Sequence, residues 1–592
     1  MDQLSFGPLV DSEGVTFRIW APKQTAVRLR LEGEPDLTME GAGNGWFNRR
    51  VEGAATGTRY SFILDDGTAV PDPASRSQPD DVHGPSEVVG DGTFVWTQTD
   101  WTGRPWKESV IYELHVGAFT EEGTFRAAID KLAHLESLGV TAIQLMPVND
   151  FRGERGWGYD GVLPYAPESS YGRPEDLKAF IDAAHEKQIS VFLDVVYNHF
   201  GPEGNYLPAY APLFTDKHAS PWGDGVNYDD EGSEEIRRFV IENVIYWISE
   251  FRVDGLRFDA VHAIKDDSDE HLLTMIAAAA RQAAGSRHIH LIVENEDNSS
   301  ALLERDDDGT PQLFTAQWND DIHHVLHAAA TGEDFGYYAD YAHDPRKTAR
   351  ALSEGFVYQG ETMPYRGSPR GEPSGHLPST AFISFIQNHD QVGNRAYGDR
   401  LSRTASFDAI KALAGIYLLL PQIPMIFMGE EWNSQRPFPY FCDFDDELNE
   451  KVREGRRNEL SRLPGFDEES GATTPDPTSL GTFQAAKLDW EALAKPDHSI
   501  ILALYRELIS IRNRAIVPCL DDALVLSSGI DGQVIHIEWS LGETRRLQLV
   551  ANLSADACDF DQPLDGRTLW ETGALRDHHL EPWSAIWTMR EK

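Results

Sequence analysis

The sequence predicts an α/β fold: a (β/α)8 TIM barrel preceded by a small β-sandwich and followed by a second β-domain. Three features carry this reading. Short apolar runs alternate with helical periodicities through the middle of the chain. Both ends switch to period-two alternation, and acidic and histidine residues collect where the middle runs stop. At 592 residues the chain exceeds one ordinary core, so more than one domain is expected.

Residues 1–101 read as the β-sandwich, of the kind that binds carbohydrate or packs on a neighbour. Val15, Phe17 and Ile19 alternate with Thr16, Arg18 and Trp20, and Val27, Leu29 and Leu31 repeat the pattern. Residues 58–64 add a strand, and the Pro-rich stretch 71–85 leads onward. Residues 102–515 read as the barrel. Val110 to His115 is its first strand, and one helix follows with Phe125, Ile129, Leu132, Leu135 and Leu138 on a single face and Gly139 just past its end. Val140 to Met146 is the second strand, and a helix covers 177–185. Ile189 to Val196 is the third strand, before a helix over 233–251 with Glu234 and Glu235 in its first turn. Further strands are expected at 257–261, 290–293, 313–317, 381–387 and 423–428. The excursion 197–232 is too long for a simple connection and reads as a functional loop over the site. After a helix over 500–514, residues 516–592 return to short strands, such as 533–539 and 547–551.

The chain carries 52 basic against 96 acidic residues, a formal net charge of −44, which argues against a nucleic-acid partner. Cys442, Cys519 and Cys558 are too few and too far apart for a disulfide framework or a zinc site. The N-terminus lacks a basic then apolar leader, and the most apolar run, 416–428, is too short and too broken by proline to span a bilayer. A cytoplasmic protein with no membrane contact is expected, as monomer or homodimer.

The chemistry gathers at strand ends, which in such a barrel form the active face. The third strand end supplies Asp194, Asn198 and His199, and the fourth Arg257, Asp259 and His262. The fifth supplies Glu294 and the seventh His389, Asp390 and Gln391. One acidic strand end reads as a cap or an ion pair; this many together do not. Two carboxyl groups flanking a bond suit glycoside hydrolysis. Asp259, kept ionised by Arg257, is the expected nucleophile, and Glu294, raised by enclosure, the acid and base. Asp390 is expected to stabilise the transition state, while His199 and His389 suit sugar hydroxyls. Glu296 competes with Glu294 for the acid role and loses because Glu294 directly follows the apolar run.

The stretches Asp194-Val195-Val196-Tyr197-Asn198-His199, Gly255-Leu256-Arg257-Phe258-Asp259, Val293-Glu294 and Asn388-His389-Asp390 resemble, in order, the four signature regions of the α-amylase superfamily of retaining glycoside hydrolases. Residues 201–206, 257–264, 317–324 and 387–394 further resemble the malto-oligosyltrehalose trehalohydrolase family, most closely from about 157 to 456. The resemblance implies hydrolysis of the α-1,4 bond next to a terminal trehalose, with Asp259 as nucleophile, Glu294 as acid/base and Asp390 as stabiliser. It implies a substrate site lined by Arg257 to His262, by Asn319, Asp320, Asp321, His323 and His324, and by His389 to Asn394, with Tyr159 stacking on the sugar. Asn295-Glu296-Asp297 after the acid is a local departure. The resemblance also implies no cofactor and a place in trehalose biosynthesis beside a maltooligosyltrehalose synthase; no acidic loop has calcium-site spacing. Trp318, between a strand end and a polar run, reads as a sugar platform, whereas Trp157 and Trp222 read equally well as core. The competing readings are a glucan-branching or debranching enzyme, with the same carboxylates, and a non-catalytic binding protein, which should have lost one of them.

Overall fold

The computed structural model describes residues 4–90, 92, 94–220, 223–461 and 474–591. Eight parallel strands close into a barrel: β1 Ile111–Leu114, β2 Ala142–Leu145, β3 Ser190–Val195, β4 Gly255–Phe258, β5 His290–Val293, β6 Ala316–Trp318, β7 Phe382–Ser384 and β8 Ile423–Phe427. β8 pairs back onto β1, with Met425 beside Ile111, so the sheet has no free edge.

The strand period of two decides what fills the barrel. Ile111, Ala142, Phe192, Ile292, Ala316, Ile383, Ile423 and Met425 pack together as its apolar interior. Gly255 on β4 joins this layer without a side chain, because a Cβ there would lie 2.6 Å from Phe192. Two residues further along these strands come Glu113, Gln144, Asp194, Arg257 and Glu294. The pleat that buries the filling therefore lifts a polar layer to the C-terminal mouth.

Helices wrap the outside, including Pro174–Glu186, Ser233–Glu250, Leu272–Ala284, Phe407–Leu419 and Pro496–Ile511. The single helix expected after β1 is two, Phe125–Ile129 and Leu132–Leu138. The amides of Asp130 and Lys131 bond three residues back, to Ala127 and Ala128, which tightens the turn and restarts the axis. Gly139 ends the second helix in the left-handed region at φ 96°. β4 stops at Phe258 instead of running to Val261, because Ala260 takes φ 41°. Between β5 and β6 the described elements include only the short turn Ser300–Leu303. The excursion after β3 holds a short helix, Leu207–Tyr210, and an antiparallel hairpin, Phe214–Ser220 with Gly223–Val226. Trp222 lies outside the described residues.

Before the barrel stand two antiparallel sheets, built around Gly14–Trp20 with Trp46–Glu52 and around Arg28–Leu31 with Arg59–Ile63. They dock on the barrel's helices. Glu242 accepts the backbone N–H groups of Ser5 and Phe6, at 2.6 and 3.1 Å. The Arg76 guanidinium lies 4.6 and 4.3 Å from the ring centres of Tyr165 and Tyr246. After the barrel comes a five-stranded sheet whose Trp587 indole donates to the Gly415 carbonyl at 2.9 Å. No helix among the described residues is long and apolar enough to cross a membrane.

Candidate active site

Arg257 is the centre of the polar layer. Its side chain is wholly buried, a costly place for a charge unless partners surround it. Nη1 donates to Asp194 Oδ1 and Oδ2 at 2.8 and 2.7 Å and to Asp259 Oδ1 at 2.8 Å, while Nη2 donates to Glu294 Oε2 at 2.7 Å. The planar fork thus aims carboxyl groups from the ends of β3, β4 and β5 toward one point, which a lysine could not do. One cation cannot balance all of them, so at least one carboxyl keeps its proton at neutral pH.

The surroundings divide the roles. Burial alone would raise Asp259, but Arg257, His199 and the Asn198 amide outweigh it and hold that carboxyl below its usual range. Asn198 Nδ2 donates to Asp259 Oδ2 at 2.7 Å and to its backbone carbonyl at 2.8 Å, which fixes the rotamer. Glu294 goes the other way. Burial, reinforced by Asp259, Asp390 and Asp320 against the pull of Arg257, drives it well above its usual range. Glu294 Oε2 accepts from Arg257 and from the Ala260 amide at 2.9 Å, so the proton belongs on Oε1. Asp194, sealed beneath the guanidinium, is pushed up to about 7 by burial against the pull of Arg257. It also accepts from the Tyr159 hydroxyl at 2.8 Å.

Asp390 stands across the mouth on the short helix His389–Gly393 and is 39% exposed. Asn388 caps that helix, accepting from the Asp390 and Gln391 amides at 2.9 and 3.3 Å, and Gln391 returns a bond to the Asn388 amide. Gln391 Nε2 donates to Asp320 at 3.1 Å, and burial pushes Asp320 up to about 7. Tyr159 lies face to face with His389, ring centres 5.2 Å apart. His199 bonds the Tyr159 carbonyl at 3.0 Å. His262 accepts from the Glu296 amide at 3.2 Å, and Glu296 itself is largely exposed. Asn394 is exposed at the end of the 389–393 helix.

Several residues expected to line the site do not reach it. Trp318 is 1% exposed, with its ring 4.2 Å beneath the Arg257 guanidinium, so it supports the arginine and offers no face to a sugar. Asn319 is buried and bonds the Gly355 carbonyl at 3.0 Å. Asp321 is spent on Arg370 at 2.8 Å, the Tyr341 hydroxyl at 2.6 Å and the Val357 amide at 2.7 Å. His323 bonds the Ile386 carbonyl and the Tyr338 hydroxyl, and His324 packs against Tyr337 and Tyr341. For Asp321, His323 and His324 the cause is shared: 320–331 is a helix, and these side chains anchor it to later segments. Asp194, Arg257 and Asn198 are likewise buried: Asp194 holds Arg257 and the Tyr159 hydroxyl, and Arg257 and Asn198 hold the Asp259 carboxylate. Sequence reasoning missed Glu113, the one acid in the otherwise apolar run Ile111–Leu114, which bonds His389.

Among the described residues, His218, Asp229 and Asp267 come close enough together to bind a metal ion. Lys217 Nζ already sits 2.7 Å from Asp229, so a cation is in place and the trio fits a surface ion-pair cluster better than a metal centre.

The family described as alpha amylase, catalytic domain, matches residues 74–212, and a domain family of unknown function, DUF3459, matches residues 528–587. The malto-oligosyltrehalose trehalohydrolase of Saccharolobus solfataricus is 42% identical over 517 residues, 87% of this chain and 88% of that protein. That of Deinococcus radiodurans is 41% identical over 562 residues, 94% and 90% of the two chains. A 1,4-alpha-glucan branching enzyme of Corynebacterium jeikeium matches only 43% of this chain, at 31% identity. A crystal structure from Salmonella typhimurium, described as a candidate alpha amylase, superposes with a TM-score of 0.94 at 46% identity, covering 99% of this chain and all of that one.

Proposed function

The chain belongs to the malto-oligosyltrehalose trehalohydrolases of the α-amylase superfamily, and from that premise we propose that Asp259, Glu294 and Asp390 carry out its reaction. It is a glycoside hydrolase that cleaves the α-1,4-glucosidic bond next to the terminal trehalose of maltooligosyltrehalose, releasing trehalose and a maltooligosaccharide by a retaining double displacement.

Asp259 Oδ2 attacks the anomeric carbon of the maltooligosyl unit while Glu294 Oε1 gives its proton to the departing O4 of trehalose. The C1–O4 bond breaks as the C1–Oδ2 bond forms, leaving a glycosyl ester on Asp259. Glu294, now ionised and still held by Arg257 and Ala260, takes a proton from water. The resulting hydroxide equivalent attacks C1, frees Asp259 and restores the starting configuration. Asp390, exposed across the mouth, faces the positive charge that develops on the ring. The observation that carries this reading is the single Arg257 fork joining an acid of lowered pKa to one of raised pKa. Tyr159, His199, His262, Asp320, His389, Gln391 and Asn394 are the residues left to meet the sugars.

The same reading divides the chain at about residues 101 and 515 and places it in the cytoplasm, acting on the product of a maltooligosyltrehalose synthase. Hydrolysis is favoured over branching because the branching relative matches less than half of the chain. Product analysis tests this. Maltotriosyltrehalose should yield trehalose and maltotriose, with slow attack on maltopentaose. Equal attack on both would make the protein a general amylase-like hydrolase, and new branches without trehalose would make it a transferase.

A further inference from the structure

We propose that Glu113 is a positioning residue for this reaction: it holds His389 as an imidazolium whose Nε2–H faces Asp390 and the bound sugar. The inference rests on the hydrolase reading above and adds to it a residue on β1.

Glu113 is wholly buried in the polar layer of the barrel. A buried carboxylate is expensive unless it is paired and hydrogen-bonded. Its two oxygens go to one residue. Oε1 accepts from His389 Nδ1 at 2.7 Å, and Oε2 accepts from the His389 backbone N–H at 3.1 Å. The first bond requires a proton on Nδ1, so any charge on the ring places the second proton on Nε2. That atom lies 3.5 Å from Asp390 Oδ2. Tyr159 covers one face of the ring, and Trp157 and Trp318 stand at its edges at 5.3 and 5.9 Å, so the imidazole is held in place.

The charges around the ring come from several elements. Glu113 on β1, Asp390 on the 389–393 helix and Asp194 on β3 favour the cation and Arg257 on β4 opposes it, while His115 after β1, lowered to about 4 by burial, is neutral over the same range. Burial opposes it too, yet Asp390 and Glu113 outweigh these and raise His389 to about 9. The geometry explains why: His389 bridges two carboxylates, one sealed inside the barrel and one at its mouth. The mouth then holds a second fixed cation besides Arg257. That cation sits beside Asp390, opposite the developing charge on the sugar, and it presents an N–H to a sugar hydroxyl. With a neutral partner in place of Glu113, the buried ring should revert to neutral imidazole, Nε2 would lose its proton, and both effects would vanish together.

The test is a 15N titration of the histidine ring nitrogens in the full chain, wild type and Glu113→Gln, with the His389 signals assigned through His389→Asn. Alongside it, kcat and KM on maltotriosyltrehalose are measured against pH. In the wild type His389 should stay cationic beyond about pH 8, well above the ordinary histidine range near 6.5. In Glu113→Gln it should lose its proton at least one pH unit earlier, and kcat should fall about tenfold or more with KM little changed. Glu113→Gln should add nothing to the loss already present in His389→Asn. A folded Glu113→Gln with unaltered His389 ionisation overturns the proposal. If that variant does not fold, the wild-type titration decides alone: a midpoint above about pH 7.5 supports the proposal and one below it overturns it. The ring signals need no substrate, so failure of maltotriosyltrehalose to turn over would remove the hydrolase reading without touching the Glu113–His389 pair.

Discussion

Ala260 donates its backbone N–H to Glu294 Oε2 across 2.9 Å, from a left-handed conformation at φ 41° and ψ 51°. A residue with a Cβ pays about 1–2 kcal/mol for that conformation. Here the strained turn, one residue after Asp259, follows the end of β4 at Phe258 and swings an amide onto the acid at the end of β5. The nucleophile and the acid are therefore tied through one peptide as well as through Arg257.

Substitutions at Ala260 should separate strain from aim. Ala260→Gly relieves the strain but loosens the turn, so stability should stay within about 1 kcal/mol of wild type while kcat falls several-fold. Ala260→Val puts a branched side chain where φ is positive and should lower kcat far more. Thermal melts paired with steady-state kinetics read both effects. Equal kcat in all three proteins would show that the amide does not aim Glu294.

Arg257 should tolerate nothing. Arg257→Met leaves buried carboxylates facing one another and should destabilise the protein by about 3–5 kcal/mol, measured by denaturant unfolding. Arg257→Lys keeps the charge but not the fork, so it should recover part of the stability and little of the activity.

The residues behind these predictions were unequally legible in the sequence. The barrel was readable because a central strand shows as a short apolar run bounded by turns, and eight such runs recur in order. The carboxylates were readable because an acid directly after such a run has no place in a core. Partners far along the chain were not. Asp321 reads as a site residue until Arg370 appears beside it, 49 positions later. Trp318 reads as a platform until the Arg257 guanidinium is seen lying on it. Glu113 shows only as a lone acid in an apolar run, and its meaning comes from His389, 276 residues away. Sequence pattern reports which face a residue takes; it does not report what the closed barrel brings to that face.

The pH dependence of turnover should be bell-shaped, with the two limbs assigned by variants. Asp259 must be ionised, so activity falls as pH drops through a pKa held below the usual carboxylate range. Glu294 must be protonated, so activity falls as pH rises through a pKa well above that range. Glu294→Gln should lower kcat on maltotriosyltrehalose by about 10²–10⁴-fold. It should still release fluoride from α-maltosyl fluoride, whose leaving group needs no acid. Equal losses on the two substrates would assign Glu294 another role.

Stability should carry the signature of His389. Its pKa rises from 6.5 unfolded to about 9 folded, so the folded state binds the extra proton between those values. The stabilisation is complete below pH 6.5 and is lost as pH climbs through 9, on the order of 3 kcal/mol in all. Unfolding free energies of wild type and His389→Asn should therefore converge between about pH 6.5 and 9. A difference that does not change over that window would contradict it.

Asp259 should form the glycosyl ester, and trapping that ester decides the assignment. Glu294→Gln incubated with a 5-fluoro maltosyl fluoride should lose the anomeric fluoride and gain the mass of one 5-fluoromaltosyl unit. Peptide mapping should then place that mass on the peptide bearing Asp259. A label on Asp390, or the absence of any adduct together with release of the inverted anomer, would contradict the claim.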